Sequence, residues 1–189
     1  MIEKNLPNQL IYIIDIIFSE ILHLEMPVIK LNVSVLTLSY GENLEIRIPE
    51  CALLDSLSEF SLCNLKMKSI DNDIKKVLNE KNLPVLAKID SSTEASFISI
   101  DETAITINFD LFGSAFYILT RMEEMDSNML DEHGRFPATA SHAYKNGYLH
   151  RPVVDEYAEI LWHCIKLLWP SMERENKKFE MKLTHDVDE

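Results

Sequence analysis

The sequence predicts a mixed fold, α/β or α+β, in which a mixed β-sheet is packed by helices. Two observations lead to this prediction. Several short segments alternate apolar and polar residues, as half-buried strands do, and longer segments repeat apolar residues every three or four positions, as amphipathic helices do. The chain has 189 residues, which suits one domain with room for part of a second.

The first predicted element is a largely buried helix over residues 7–24, with apolar residues at helical spacing and Pro7 in its first turn. Residues 31–38 alternate and are predicted to form one strand. A turn at 40–43 leads to a second alternating strand at 44–48. These two strands are expected to pair as a hairpin.

The middle of the chain is predicted to contain two short helices and three strands. Helical spacing of apolar residues places the helices at 50–65 and 71–80. An apolar run at 84–87 is interpreted as a short buried strand. Alternating runs at 97–100 and 104–109 predict a second hairpin.

The clearest amphipathic helix is predicted over residues 111–125, with Asp110 as its N-cap. A second amphipathic helix is predicted over 152–168, with Pro152 at its first position and Trp169 just beyond its end. The two helices are expected to bury six large side chains against the rest of the domain. These are Phe112, Phe116, Leu119, Ile160, Leu161 and Ile165.

Two stretches lack such periodicity. Residues 126–151 form a long irregular segment, and a loop of this length in a compact domain is usually functional or disordered. Residues 171–178 are rich in charge and are interpreted as a solvated linker. The linker leads to an alternating run at residues 179–183, which is predicted to be a short strand.

The charge of the chain argues against two classes of partner. With 18 basic and 31 acidic side chains, the net charge is −13. Non-specific binding to nucleic acid or to anionic membranes needs clustered Lys and Arg, so neither is expected as a partner. The apolar run at residues 10–18 is interrupted by Asp15 and is too short for a membrane span, which needs about 20 apolar residues.

The cysteines and the N-terminal sequence bear on the compartment. Cys51, Cys63 and Cys164 lack the spacing of a metal site, and their odd number argues against a full disulfide framework. Residues 1–7 are polar and end in a proline, unlike a secretory signal. The sequence therefore predicts a reducing compartment and a cytoplasmic location.

The last residues of the chain carry the strongest chemical signal. The predicted strand at 179–183 delivers His185, Asp186 and Asp188 to its carboxyl end, where ligand sites of α/β folds collect. Two carboxylates spaced one residue apart can act as a base and a metal ligand, and divalent metals recruit such pairs together with histidine. The alternative is a polar strand end followed by a loop, which the spacing alone does not exclude.

The irregular segment 126–151 contains a second group of candidates, for contact with a sugar or with an adjoining domain. These are Asp131, His133 and Arg135. The alternative interpretation is structural: Gly134 makes a turn, and Arg135 pairs with a carboxylate of Asp131 or Glu132. Residues 121–124 are interpreted either as a solvated helix face or as a polar face that pairs with this segment.

The remaining histidines and the tryptophans have structural interpretations. His142, His150 and His163 share no spacing that would predict a metal site. Trp162 and Trp169 are interpreted as core and helix-end packing, in preference to a stacking platform for sugars.

The terminal motif resembles that of a known family. Residues 183–188, Leu-Thr-His-Asp-Val-Asp, follow a Phe-x-Met-x strand and resemble the first motif of the polysaccharide deacetylase (NodB-homology) superfamily. That motif is usually Thr-Phe-Asp-Asp-Gly, and a His-Asp-Val-Asp variant occurs in some branches. Residues 109–124, 131–136 and 149–154 also resemble a bacterial subgroup in which an N-terminal domain precedes the deacetylase. The first hundred residues match it only in the order of their elements.

The resemblance implies a domain organisation and a set of site residues. Residues 1–178 would be an accessory domain, and residues 179–189 would be the first strand and motif of a truncated deacetylase domain, a deformed (β/α) barrel in its full form. The family removes acetyl groups from amino sugars with a divalent metal, usually zinc. By position, Asp186 would be the general base, and Asp188 with His185 would bind the metal.

The other parts of that family site do not occur in the sequence. The two histidine ligands, the oxyanion-stabilising segment and the catalytic histidine of the family come from later motifs. A single carboxylate cannot hold zinc in the usual three-ligand catalytic arrangement. We therefore expect this chain alone to be inactive and to bind no cofactor. We expect the glycan substrate to bind through the missing catalytic domain.

Two other functions stay open. The Asp186-x-Asp188 pair also fits the metal–nucleotide motif of glycosyltransferases, although the upstream sequence lacks a strand–loop–helix phosphate site. The second alternative is a stand-alone interaction domain without chemistry. For an accessory domain, three roles are open: packing against the barrel, shaping substrate access and recognising a glycan.

Overall fold

Alternating segments of the sequence form two β-sheets in the computed structural model. The structure describes residues 6–41, 43–49, 60–67, 78, 82–88, 94–125, 127–175 and 181–184. Within these ranges the strands are β1 (Val28–Asn32), β2 (Val35–Ser39), β3 (Glu45–Pro49), β4 (Phe60–Met67), β5 (Asn82–Lys88), β6 (Glu94–Ala95), β7 (Ile98–Ile100) and β8 (Ala104–Ile107). The larger sheet has the order β1–β2–β3–β8–β7, and the smaller has the order β5–β4–β6.

The larger sheet is mixed. Strands β3 and β8 pair parallel, whereas the pairs β1–β2, β2–β3 and β7–β8 are antiparallel. Its register separates two faces. Apolar residues of four adjacent strands lie side by side and are buried: Ile29, Leu38, Ile46 and Ile105. The neighbouring row crosses all five strands with polar residues: Lys30, Thr37, Arg47, Thr106 and Ser99. One face of the sheet is therefore apolar and the other polar.

Four α-helices complete the described fold. They are α1 (Asn8–Asp15), α2 (Leu111–Leu119), α3 (His142–Lys145) and α4 (Val153–Leu168). The first continues as a π-helical segment, Ile16–Ile21. Helix α1 packs on α2, α2 packs on α4, and α4 packs on β3 and β8. Helix α4 thus joins the helices to the larger sheet, and the expected mixed fold, α/β or α+β with a mixed sheet packed by helices, is confirmed in its α+β form.

The smaller sheet is attached to the helices through alternate residues of β5. Arg151 donates to the backbone oxygen of Asn82 at 3.0 Å, and the hydroxyl of Tyr157 donates to the backbone oxygen of Pro84. The backbone amide of Leu86 donates to Ser114 Oγ at 2.8 Å. These residues are spaced by two, so their backbone groups leave β5 on the same side, toward α2 and α4.

The predicted strand at 31–38 is wrong, because the structure divides it into β1 and β2 with a turn between them. Val33 has a φ of 53° and a side chain that is 97% exposed. The sequence pattern placed Val33 inside one continuous strand, whereas it lies at the tip of a hairpin. The pairing predicted with residues 44–48 is confirmed as the β2–β3 hairpin.

In the middle of the chain, the helix predicted at 50–65 is wrong for residues 60–65, which belong to β4. Pairing with β5 supplies backbone hydrogen bonds that outweigh the weak helical spacing. Residues 50–59 lie outside the described residues, as does the helix predicted at 71–80 except for Leu78. The strand at 84–87 is confirmed within β5, and the second hairpin is confirmed as β7–β8.

Helix α2 begins as predicted, since Asp110 Oδ1 accepts a hydrogen bond from the backbone amide of Gly113 at 2.8 Å. The helix ends at Leu119 instead of 125, because the chain reverses at Arg121, which has a φ of 55°. Leu119 is consequently 44% exposed, and its predicted burial is wrong. Phe116 is partly buried against the core. The burial predicted for the other four is confirmed: Phe112, Ile160, Leu161 and Ile165.

Helix α4 agrees with the predicted helix at 152–168 except that Pro152 is its N-cap and not its first residue. The chain that follows is not a solvated linker over its described part. Residues 169–175, which we call the strap, fold back onto α4. Lys166 Nζ donates to the backbone oxygens of Pro170 at 2.6 Å and Met172 at 2.8 Å. In the described ranges, no helix is both long and apolar enough to cross a membrane.

Candidate functional site

The residues of the terminal motif, His185, Asp186 and Asp188, lie outside the described residues. Residues 181–184 just before them are exposed and have no regular secondary structure. The strand predicted over 179–183 is therefore wrong for 181–183. A strand needs a hydrogen-bonding neighbour, and none of the strands in the described ranges pairs with this segment.

The irregular segment 126–151 is organised by short turns instead of long elements. Three-residue 3-10 turns occupy Ser127–Met129 and Ala138–Ala140, and the single-turn helix α3 follows. The segment ends where Arg151 and Pro152 lead into α4. Its course is thus defined by local hydrogen bonds and by contacts with its neighbours.

The three candidate residues of this segment lie in one turn around the Asp131 carboxylate. Asp131 Oδ1 accepts from the backbone amides of His133 and Arg135, both at 2.9 Å. The Arg135 guanidinium pairs with Asp131 Oδ2 at 3.1 Å. Gly134 has a φ of 73°, which a glycine adopts without strain. The structural interpretation, with Gly134 in the turn and Arg135 paired to Asp131, is confirmed.

The same bonds hold the pKa of the Asp131 carboxyl below its usual value, chiefly through the backbone amide of Arg135 and then through that of His133. The carboxylate therefore stays ionised at neutral pH, which suits a structural acceptor better than a general acid. His133 Nε2 lies 3.4 Å from the Glu132 carboxylate, with both side chains exposed. Whether this turn contacts a sugar or another domain stays a prediction.

A second polar cluster joins Glu123, which precedes the segment, to His142 and Tyr148 in its second half. The backbone amide of His142 donates to Glu123 Oε2 at 2.8 Å. His142 Nδ1 and the Tyr148 hydroxyl are 2.6 Å apart, and the two rings lie 5.5 Å apart between centroids. Of the two interpretations for residues 121–124, the polar face that pairs with the segment is the one observed for Glu123.

Burial keeps both partners of the His142–Tyr148 pair neutral. It lowers the pKa of His142 below that of a free histidine, and nearby Lys145 lowers it further. Burial also raises the pKa of Tyr148 well above that of a free tyrosine, with a further increase from Glu123. The two side chains therefore share one hydrogen bond between neutral groups. This bond links His142 to Tyr148 within the segment.

Arg151, for which the sequence pattern offers no prediction, makes a nearly buried ion pair with Glu156. Its side chain is 8% exposed and that of Glu156 is 15% exposed, with Nη2 and Oε2 2.6 Å apart. Arg151 Nη1 also donates to the side chain of Asn82 at 3.1 Å. The only sequence signal was a basic residue just before the first turn of a helix that carries acidic residues.

An apolar groove of about 320 Å³ lies beside this ion pair, between α2 and the start of α4. Its lining combines side chains of both helices with those of the segment before α4. The apolar residues are Ile118, Leu119, Ala143, Leu149, Pro152, Val153 and Val154, and the polar ones are Tyr148, Arg151 and Asp155. Leu149 is 62% exposed at its rim. Apolar surface that remains exposed in this way is typical of binding sites.

Comparison with known families adds one finding. Residues 1–170 match the pattern of a family of unknown function, DUF7033. The chain belongs to the DUF7033 family. The matched range contains all the described helices and strands and the groove, while the strap from Ser171 and the terminal motif lie outside it. Comparisons with curated proteins and with solved structures give no significant match.

The described part of the DUF7033 chain offers no ready metal centre. In these ranges, no three side chains of His, Cys, Asp or Glu converge on one point. Cys164 is buried, which raises its pKa to about 12, and Cys63 is partly buried with a raised pKa. Both thiols are therefore protonated at neutral pH, whereas metal ligation needs thiolate. The zinc site that the family resemblance implies would use His185 and Asp188, which lie outside the described residues.

We expect the 189-residue chain to bind zinc only weakly, because the two histidine ligands of the family site belong to later motifs and leave His185 and Asp188 short of a three-ligand site. Isothermal calorimetry with zinc would measure this directly. Micromolar or tighter binding that disappears in Asp188→Ala would contradict the expectation. Asp131→Ala is the matched control, since its carboxylate is already occupied by Arg135.

Proposed function

We propose that this DUF7033 domain is the N-terminal accessory domain of a metal-dependent polysaccharide deacetylase, which removes acetyl groups from an amino-sugar glycan. The observation that carries the proposal is the sequence of residues 184–188, Thr-His-Asp-Val-Asp, which resembles the first deacetylase motif. This motif stands beyond residues 1–170, the range of the family match. The proposal therefore assigns the chemistry to polypeptide outside the DUF7033 range.

The proposal gives the motif residues separate roles. Asp186 accepts a proton from the attacking water as general base. Asp188 and His185 contribute to a zinc site whose other ligands come from the polypeptide after residue 189. The 189-residue chain is accordingly proposed to be inactive by itself and to act through a catalytic domain that binds the glycan.

The accessory role is supported by how rigidly the domain presents the turn at residues 131–135. Two backbone amides and one guanidinium fix the Asp131 carboxylate, so Arg135 and His133 are held in place on an exposed turn. We propose that this turn contacts the substrate or the catalytic domain. The Asp131 carboxylate and the Arg135 guanidinium are already paired with each other, which suits contact better than catalysis.

The proposal is tested in the protein extended beyond residue 189, with acetate release from N-acetylglucosamine oligomers as the assay. Asp186→Asn is expected to lower turnover by at least about 10²-fold, because a general base is lost. The metal content should stay unchanged, whereas Asp188→Ala should lose metal. Arg135→Ala should weaken substrate affinity or domain docking and leave the metal bound.

Three results would contradict the proposal. A stop codon directly after Glu189 would favour the stand-alone interaction domain. Transfer of sugar from a sugar nucleotide, dependent on Asp186 and Asp188, would favour the glycosyltransferase alternative. Full acetate release by Asp186→Asn would show that the motif is not catalytic.

A further inference from the structure

The strap gives the chain that leaves this domain a defined direction. Arg174 forms two hydrogen bonds with the carboxylate of Glu159, at 2.8 and 2.9 Å. Its guanidinium also lies over the ring of Trp162, 5.0 Å from the ring centre. Because Lys166 binds the first residues of the strap and Glu159 binds its end, the strap runs antiparallel to α4, back toward the start of the helix.

The apolar groove lies at the start of α4, beyond the end of the strap in the direction in which the strap runs. Asp155 lines the groove, and it precedes Glu159 by four residues. Residues four apart share a helix face, so Asp155 and Glu159 lie on one side of α4, about 6 Å apart along its axis. The strap, which reaches Glu159 at Arg174 and runs toward the start of α4, therefore points toward the groove.

The groove is apolar and partly exposed in this chain. Leu119 and Leu149 at its rim are 44% and 62% exposed. Covering these side chains would remove apolar surface from water. A tethered partner needs little intrinsic affinity, since a short linker gives an effective concentration on the order of millimolar.

We propose that the groove between α2 and α4 is the docking surface for the catalytic domain that follows the strap in the same polypeptide. This inference rests on the proposed function for the identity of the occupant. The strap sets the direction of approach, and Ile118, Leu119 and Leu149 form the contact. The accessory domain is thereby held in one orientation relative to the catalytic domain.

Hydrogen exchange tests the docking in the 189-residue chain and in the protein extended through the following domain. Amides of residues 143–155 are expected to exchange at least about 10-fold more slowly in the extended protein. In the extended protein, Leu119→Ser should return this exchange to the rate of the 189-residue chain. Leu167→Ser is the matched control, because Leu167 is a leucine of nearly equal exposure, 45%, that does not line the groove.

Equal exchange of residues 143–155 in the two proteins would overturn the docking surface. So would an equal effect of Leu119→Ser and Leu167→Ser. Acetate release from short N-acetylglucosamine oligomers is measured on the same samples. The docking surface and the proposed deacetylase function are thereby tested independently of each other. Activity without protection of the groove rejects the docking and keeps the function; protection without activity supports docking of the following domain and rejects the deacetylase.

Discussion

Replacement of Leu161 by alanine is expected to lower the free energy of unfolding by about 2–5 kcal/mol. Leu161 has no exposed surface and lies in the middle of α4, the helix that packs against both α2 and the larger sheet. Alanine favours a helix at least as well as leucine does, so the loss comes from the cavity and not from helix propensity. Urea unfolding followed by circular dichroism measures the change.

Leu167 on the same helix supplies the comparison for this experiment. Its side chain is 45% exposed, so Leu167→Ala is expected to change stability by no more than about 0.5 kcal/mol. If the two variants unfold at the same urea concentration with the same slope, α4 does not hold the core as described.

Replacement of Arg151 by alanine is expected to destabilise the protein by about 3–5 kcal/mol, because a nearly buried carboxylate loses its charged partner. Glu156 is 15% exposed, and both oxygens of its carboxylate accept from Arg151. The variant also loses the donors to Asn82 that connect the segment just before α4 with β5. Thermal and urea unfolding would both report the loss.

The Asp131–Arg135 pair provides a matched control for the buried one. It joins the same chemical groups, but the Arg135 side chain is 71% exposed, so Arg135→Ala should destabilise the protein much less than Arg151→Ala. A double-mutant cycle with Glu156→Gln isolates the coupling of the buried pair. The assignment fails if Arg151→Ala is no more destabilising than Arg135→Ala.

The parts of the fold that could be predicted are those whose sequence signals lie within the element itself or a few residues from it. Helix α4 agrees with the predicted range, residues 152–168, to within one residue at its start. The Asp110 cap could be predicted because Asp110 and the backbone amide that it binds, that of Gly113, are only three residues apart. The β1–β2 turn was missed because Val33 and Ser34 contain none of the glycine, asparagine or proline signals of tight turns.

The same distinction applies to the candidate site. The pair of Asp131 and Arg135 could be anticipated, since its partners are four residues apart and flank a glycine. The contact of Arg151 with Asn82 could not, because 69 residues separate the partners and only the packed fold brings them together. The groove depends on the reversal at Arg121, which a long apolar periodicity over residues 111–125 concealed.

The attachment of β5 to the helices has a consequence for how the protein behaves at high concentration. A strand at the border of a sheet presents unpaired amides and carbonyls, which can recruit a strand from another molecule and start aggregation. On β5, the carbonyls of Asn82 and Pro84 and the amide of Leu86 are already bonded to side chains of the helical layer. Pro84 itself has no amide hydrogen to offer. This border of the smaller sheet is therefore closed to intermolecular β-pairing for as long as α4 stays folded on it.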